Sequence, residues 1–306
     1  MTDAQLPSGG QIFLDHIGHF VPDIDAAAAA LERCGFLLTP FSVQTAPTGP
    51  EGALQPTGTG NVCTMLRAGY LEFLTKTAET PLAAELEAAF ARWAGVHLAA
   101  FAVAQPEAAY DRLLRAGIDM RSVVHMRRPV ETEGGMSEAR FTVLRPKPGV
   151  MPEGRIQLLT HHTEKEVWQH RWLDHPNGVL GLLGVLIVTD DLDGAATRFQ
   201  RLLGVNATKH SHGIRFTLDR GHVELRSPNG AEAVTGRPPG LPWIAAYGLK
   251  VESLDRTARH MNEADLQTNR NGKALIAQFP SALGVGYWVF VKDARDLPWN
   301  ETANQL

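Results

Sequence analysis

The sequence predicts an α+β fold made of four βαβββ modules paired into two domains. Three observations carry this. Four short apolar strands each run through a polar turn into a helix-like segment. Each unit then ends in a strand that opens on a glycine. The four units also fall into two length classes. From the valine ending the first strand to that glycine is 48 residues (Val21 to Gly69) and 51 (Val103 to Gly154) in the first two units. It is only 33 (Val188 to Gly221) and 35 (Val251 to Gly286) in the last two. Two long units followed by two short ones predict one domain over residues 1–165 and a second over 166–306.

The elements follow in order. Unit one opens with HIGHFVPDIDAAAAALERCGF from His16, and unit two with LAAFAVAQPEAAYDRLLRAGI from Leu98. Unit three opens with LGVLIVTDDLDGAATRFQRLLGV from Leu183, and unit four with AYGLKVESLDRTARHMNEADL from Ala246. Asp25, Asp193 and Asp255 are expected in the helix-entry turns, where a short acidic side chain accepts unpaired amide hydrogens and complements the helix dipole. Gly35, Gly117 and Gly204 are expected to end three of the helices in the left-handed conformation. Runs such as NVCTMLRA before GYLE, and GIRFTLDR before GHVE, alternate and then turn at a glycine, which reads as a hairpin. Thr80 followed by Pro81 predicts a further helix joining units one and two. Residues 161–177, punctuated by Trp168, Trp172 and Pro176, are expected to link the domains.

Composition narrows the function classes without choosing one. The chain has 306 residues, 29 basic and 33 acidic side chains and a net charge of −4. That balance offers no electrostatic footprint for nucleic acid or an anionic membrane. Cys34 and Cys63 are too few for a disulfide scaffold and lack the basic or helix-start setting of a reactive thiol. The longest apolar run, residues 178–188, falls short of the roughly 18–20 needed to cross a bilayer. The N-terminal MTDAQLPSGG does not read as a signal peptide, so a cytoplasmic location is expected. No G-x-G-x-x-G or P-loop occurs, and no nucleotide cofactor is expected.

The opening LDHIGHFVPDIDAAAAAL and the later GYLEFLT resemble the vicinal oxygen chelate superfamily, most closely its glyoxalase-like branch. The repeat that carries the resemblance runs from about residue 13 to residue 291. The resemblance implies that paired modules curl their sheets into a cup or barrel with the reactive site inside. It also implies ligands for a divalent ion on the first and last strand of each module. Carried over by position, these are His16 and Glu72 in unit one and Leu98 and Gln157 in unit two. His16, Glu72 and Gln157 are thus the candidate ligands for Zn, Ni, Mn or Fe, and Leu98 departs from the pattern. In the second domain the same positions are Leu183, Glu224, Ala246 and Val289, a degenerate set. A buried Glu224 there needs a partner such as Arg215 or His212.

Glu72 stands on an otherwise apolar strand, and with His161 it is a candidate catalytic acid or base. Asn61, Met65 and Tyr70 are candidate substrate contacts. His19 is expected to point away from the site, and strand alternation turns His97 to the face opposite Leu98 unless a bulge intervenes, in which case it is a further candidate ligand. The function expected is a metal-assisted isomerase or lyase acting on a small oxygen-rich organic molecule in the first cup. A ring-cleaving dioxygenase is disfavoured, because the second domain lacks the histidines that chemistry requires in related chains. The alternative is a metal-free protein that binds or sequesters a small molecule. The partner expected is that small molecule alone, and four modules in one chain allow but do not require a homodimer.

Overall fold

A computed structural model describes residues 4–47 and 52–300; the outer limits 1 and 306 expected for the two domains lie outside them. Module one comprises β1 (Ile12–Phe20), α1 (Ile24–Arg33), β2 (Ser42–Pro47), β3 (Leu54–Met65) and β4 (Tyr70–Lys76). After the joining helix α2 (Pro81–Phe90), module two comprises β5 (Gly95–Val103), α3 (Pro106–Arg115), β6 (Val124–Thr132), β7 (Gly135–Leu144) and β8 (Arg155–His161). The segment that follows holds the short helix α4 (Glu164–Val167) and a 3₁₀ turn. Module three is β9 (Val179–Val188), α5 (Leu192–Leu203), β10 (Thr208–His210), β11 (Gly213–Thr217) and β12 (His222–Arg226), with α6 (Pro228–Thr235) joining it to module four. Module four is β13 (Trp243–Val251), α7 (Leu254–Glu263), β14 (Thr268–Asn271), β15 (Ala274–Gln278) and β16 (Tyr287–Val291).

The strands form two eight-stranded mixed sheets of the same topology, β2-β3-β4-β1-β5-β8-β7-β6 and β10-β11-β12-β9-β13-β16-β15-β14. In each sheet the first strands of two modules pair antiparallel at the centre, and each pairs parallel with its own module's last strand. The outer strands of the first sheet curl toward each other. Thr45 Oγ1 donates to the Arg127 carbonyl at 3.2 Å, and Arg128 Nη1 donates to Ser42 Oγ at 3.3 Å. Edge strands β2 and β6 therefore meet through side chains, with no ladder between them.

Alternation sorts the strand residues. Leu71, Phe73, Ala99, Phe101, Ile156 and Leu158 face outward into a core that also contains Ala27 and Leu31 of α1, Leu113 of α3, Phe199 of α5 and Met261 of α7. That core is continuous between the sheets, and strand-like bridges at Phe13–Arg220, Ala68–Gly181 and Gly95–Val285 tie them together. His19 faces this junction, with Nε2 2.8 Å from the Tyr247 hydroxyl, and its ring stacks on Phe73. Burial pushes its pKa down to about 3, so it is a neutral packing residue, on the face expected for it.

Local signals explain the ends of elements. Thr80 caps α2 by accepting from Ala83 N, as expected. The other caps stand two residues earlier than expected: Asp23, Asp191 and Ser253 accept the amide hydrogens, while Asp25, Asp193 and Asp255 occupy the first helical turns. An acid in either place complements the dipole, and the residue that leaves the strand in a non-helical conformation takes the cap. The glycine opening each module's last strand has a steric cause. Gly69 has φ +79°, and a Cβ there would stand 2.6 Å from the Asp15 carbonyl oxygen. At Gly154 the corresponding distance to the His97 carbonyl is 2.7 Å.

Module three carries one extra residue before its helix: Asp23 follows Val21 by two positions, whereas Asp191 follows Val188 by three. The residue standing where His16 stands in module one is therefore Gly184, not Leu183 as the valine spacing suggests. Gly184 faces Gly248 in the β9–β13 ladder just as His16 faces Ala100 in β1–β5. No helix among the described residues is long and apolar enough to cross a membrane.

Candidate functional site

The concave face of the first sheet forms a cup of about 770 Å³, counted to its open mouth. His16, Asn61, Met65, Tyr70, Glu72 and Gln157 all line it, so six of the seven residues singled out from sequence come together. Register explains why. Gly18 pairs with Glu72 and Ala100 with Gln157, so Glu72 and Gln157 occupy equivalent places on the two modules, and His16 and Leu98 are likewise equivalent. His97 lies on the opposite face, where Nε2 stands 2.8 Å from the Trp93 carbonyl oxygen.

Glu72 is held from one side only. Gln44 Nε2 donates to Oε1 at 2.9 Å and Asn61 Nδ2 donates to the same oxygen at 2.5 Å. The other oxygen, Oε2, faces His16 Nε2 at 3.7 Å. Asn61 thus serves the cup by fixing Glu72. The His16 ring stacks on Tyr70 with centroids 4.3 Å apart. Burial, reinforced by the charges of Asp15 and Glu72, pushes the Tyr70 hydroxyl well above its ordinary pKa, so it remains a neutral donor. Met65 packs with Tyr70 and Trp168 beside the rings.

Behind His16 lies a residue the sequence reading missed. Asp15 is fully buried, and its Oδ2 lies 2.8 Å from His16 Nδ1 and 3.1 Å from His161 Nε2. Burial works to raise the Asp15 pKa. The charges and hydrogen bonds of the two imidazoles outweigh it and hold the carboxyl well below the usual carboxylate range. An ionised carboxylate only accepts, so both ring nitrogens facing it carry hydrogen. That leaves His16 Nε2 as the nitrogen presented to the cup. His161 Nδ1 is buried without a partner among the described residues.

His161 corrects an expectation. It shares the strand face of Gln157, but its ring is enclosed by Phe141 and Trp168 and it does not line the cup. It reaches the site only through Asp15. Cys63 lines the cup, but burial first and Glu72 second push its thiol up to about 12, which makes it a poor nucleophile.

Four arginines complete the lining: Arg128, Arg145 and Arg155 are half-buried, while Arg127 is exposed and brings its carbonyl to the β2–β6 seam. Arg145 Nε donates to Gln157 Oε1 at 2.8 Å. Arg155 lies 3.5 Å from Glu85, which also pairs with Arg121. Leu74, Leu98, Met126, Phe141, Val143 and Leu159 supply an apolar wall.

These donors do not fit a resident divalent ion. His16 and Glu72 are suitable ligands, and Asp15 backs His16 as an outer-shell carboxylate would. The expected third ligand, Gln157, has its amide oxygen bound to a guanidinium, and the equivalent of His16 is the buried Leu98. No three His, Cys, Asp or Glu side chains among the described residues are arranged to share an ion. Arg128, Arg145 and Arg155 further oppose a dication.

The second sheet's cup is filled with side chains. Leu186, Trp243, Ile276, Val289 and Trp299 pack together in it. Glu224 is fully buried and bound by Arg215 Nε at 3.0 Å and Arg226 Nε at 2.8 Å, and both arginines donate through Nη2 to the Trp299 carbonyl. Of the two partners expected, Arg215 is present, and Arg226 stands in place of His212. A Cβ on Gly184 would lie 2.3 Å from the His222 ring, so that ring occupies the volume His16 takes in the first cup.

A family model described as a glyoxalase-like domain matches residues 14–203. No curated protein matches the sequence. Among solved structures, a hypothetical protein from Staphylococcus aureus is similar with a TM-score of 0.64 at 9% identity, over 91% of this chain and 98% of that one. A xylose isomerase-like TIM barrel/4-hydroxyphenylpyruvate dioxygenase fusion protein is similar with a TM-score of 0.53 at 10% identity, over 94% of this chain and 50% of that one. At such identities the likeness is one of fold. The family model spans more than half of the sequence and takes in every residue lining the first cup, and so the chain belongs to the glyoxalase-like domain family of the vicinal oxygen chelate superfamily.

Proposed function

We propose that the first cup is an acid–base site that takes a small oxygen-rich organic molecule and moves a proton on it, in an isomerase- or lyase-type step without a resident metal ion. The observation that carries this is the buried Asp15–His16 pair aimed across the cup at Glu72. Asp15 fixes the tautomer that leaves the His16 Nε2 lone pair facing the substrate space, and its charge stabilises the imidazolium formed when that nitrogen takes a proton. Glu72, held through Oε1, keeps Oε2 on the same side as a second proton carrier. Negative charge developing on a substrate oxygen meets guanidiniums, which supply the electrostatic stabilisation a metal ion otherwise gives.

The test is hydrogen–deuterium exchange. Protein in D₂O is incubated with a panel of hydroxy, oxo and dicarbonyl compounds, and loss of carbon-bound proton signal is followed by NMR. Enzyme-dependent exchange that disappears in His16→Gln and Glu72→Gln is expected. Exchange that survives both substitutions overturns the reading. A pure binding role is the second reading, favoured by the buried Leu98 where a fourth polar group would complete the site. It predicts ligand retention with no exchange of any compound.

A further inference from the structure

The cup is out of electrical balance. The half-buried Arg128, Arg145 and Arg155 line it, and the only carboxylate among the lining residues is Glu72. The imbalance is not relieved nearby. Arg155 shares Glu85 with Arg121, and among the described residues Arg128 bonds to the neutral Ser42 hydroxyl and makes no ion pair. Arg145 is the extreme case. Its Nε bonds to the neutral Gln157 amide, and it makes no ion pair among the described residues. Burial, with the like charge of Arg155 behind it, pulls its pKa down to about 9, a penalty that a bound anion would relieve. With Nε anchored, the rest of its planar fork is fixed in orientation, the arrangement that suits two parallel bonds to a carboxylate.

We infer that the molecule taken by this cup is an organic acid, with its carboxylate on Arg145 and an apolar body against Leu98, Met126 and Phe141. This rests on the reading of the cup as a substrate site and names the chemical class that the site selects. The two halves of the lining match the two halves of such a ligand. A half-buried guanidinium with no counter-ion among the described residues carries a desolvation cost, and a carboxylate removes it. A neutral analogue leaves the arginine desolvated and unpaired, so discrimination is expected to be strong. Glu72 sets the limit on charge, because a dianionic phosphate in the same space would face a carboxylate as well as the arginines.

Calorimetric titration with matched probes tests this: 3-phenylpropionate, its amide 3-phenylpropanamide, and phenyl phosphate. The acid should bind about tenfold to a hundredfold more tightly than the amide, as expected for hydrogen bonds to a charged partner. Arg145→Gln should erase that preference, and Arg145→Lys should keep part of it. Added salt should weaken the acid and leave the amide unchanged, and this arm on the wild-type protein serves if Arg145→Gln fails to fold. Equal binding of acid and amide, tighter binding of phenyl phosphate, or no binding of the acid overturns the inference. The two readings fail separately. Loss of acid preference leaves proton transfer by His16 standing, whereas retained acid preference without deuterium exchange in any compound removes proton transfer alone.

Discussion

Replacing Asp15 by asparagine tests the centre of the proposed chemistry with almost no change of shape. The carboxylate oxygen Oδ2 accepts from two imidazoles, at 2.8 and 3.1 Å, in a fully buried place. Hydrogen bonds to a charged group contribute about 1.5–3 kcal/mol each. The amide oxygen can keep one of them, so the expected loss is one such bond together with an unpaired nitrogen, about 2–4 kcal/mol of folding stability. The amide NH₂ also donates, and it stabilises the opposite tautomer of His16, with hydrogen on Nε2. The base then faces away from the cup, and proton transfer should slow by about a hundredfold to ten-thousandfold. Long-range ¹H–¹⁵N NMR of the His16 ring reads the tautomer without any substrate, urea unfolding reads the stability, and deuterium exchange reads the rate. An Asp15→Asn protein with the wild-type tautomer and exchange rate would refute the role given to this carboxylate.

Other expectations follow from the same geometry. His19, His97 and His222 are buried with pKa values pushed down to about 3, 4 and 3, from an ordinary 6.5. The unfolded chain therefore binds protons first, and their stabilisation, complete above pH 6.5, is lost as pH falls from 6.5 toward about 3–4. Each should cost about 2 kcal/mol between pH 7 and pH 5, and urea midpoints that do not change over that interval would contradict it. Gly69→Ala forces a left-handed residue and a Cβ 2.6 Å from the Asp15 carbonyl oxygen. It should cost about 2–4 kcal/mol and lower the Tm, and an unchanged Tm would show that the turn adapts. Prolonged dialysis against a chelator should leave both Tm and 3-phenylpropionate affinity as they were, because the donors do not make a metal site; a fall in either restores a metal to the mechanism.

The modules and the site were legible to different depths. Counting strand-end valines and strand-opening glycines located every module, because both residues answer to backbone geometry that repeats with the fold. Glu72 stood out as a charge on an apolar strand, and the equal register of modules one and two carried the comparison to Gln157. Module three departs from this spacing, because one inserted residue before Asp191 shifts Leu183 off the position that Gly184 holds. Asp15 was hidden for a related reason. Alternation puts it on the face opposite His16, but the β1–β5 register slips between Leu14 and His16, and a bulge there lets neighbours turn together. An acid inside IFLDHIGHF was nonetheless a signal of the same kind as Glu72. The arginines were less accessible. Arg128 faces inward while its neighbour Arg127 is exposed, and Arg127 meets the cup's rim because β6 lies at the curled edge of the sheet.

The seam between β2 and β6 gives the cup an uneven discipline. A fully laddered barrel fixes its own girth, since widening it breaks hydrogen bonds along a whole strand. Here two side-chain bonds, Thr45 to the Arg127 carbonyl and Arg128 to Ser42, span the gap among the described residues. Bonds of this kind contribute about 0.5–1.5 kcal/mol each, within reach of what a modest ligand supplies by burying apolar surface. The wall can therefore yield to a bulkier guest at small expense, while the charge balance inside it cannot be bargained with. Such a vessel measures its contents by sign more strictly than by size.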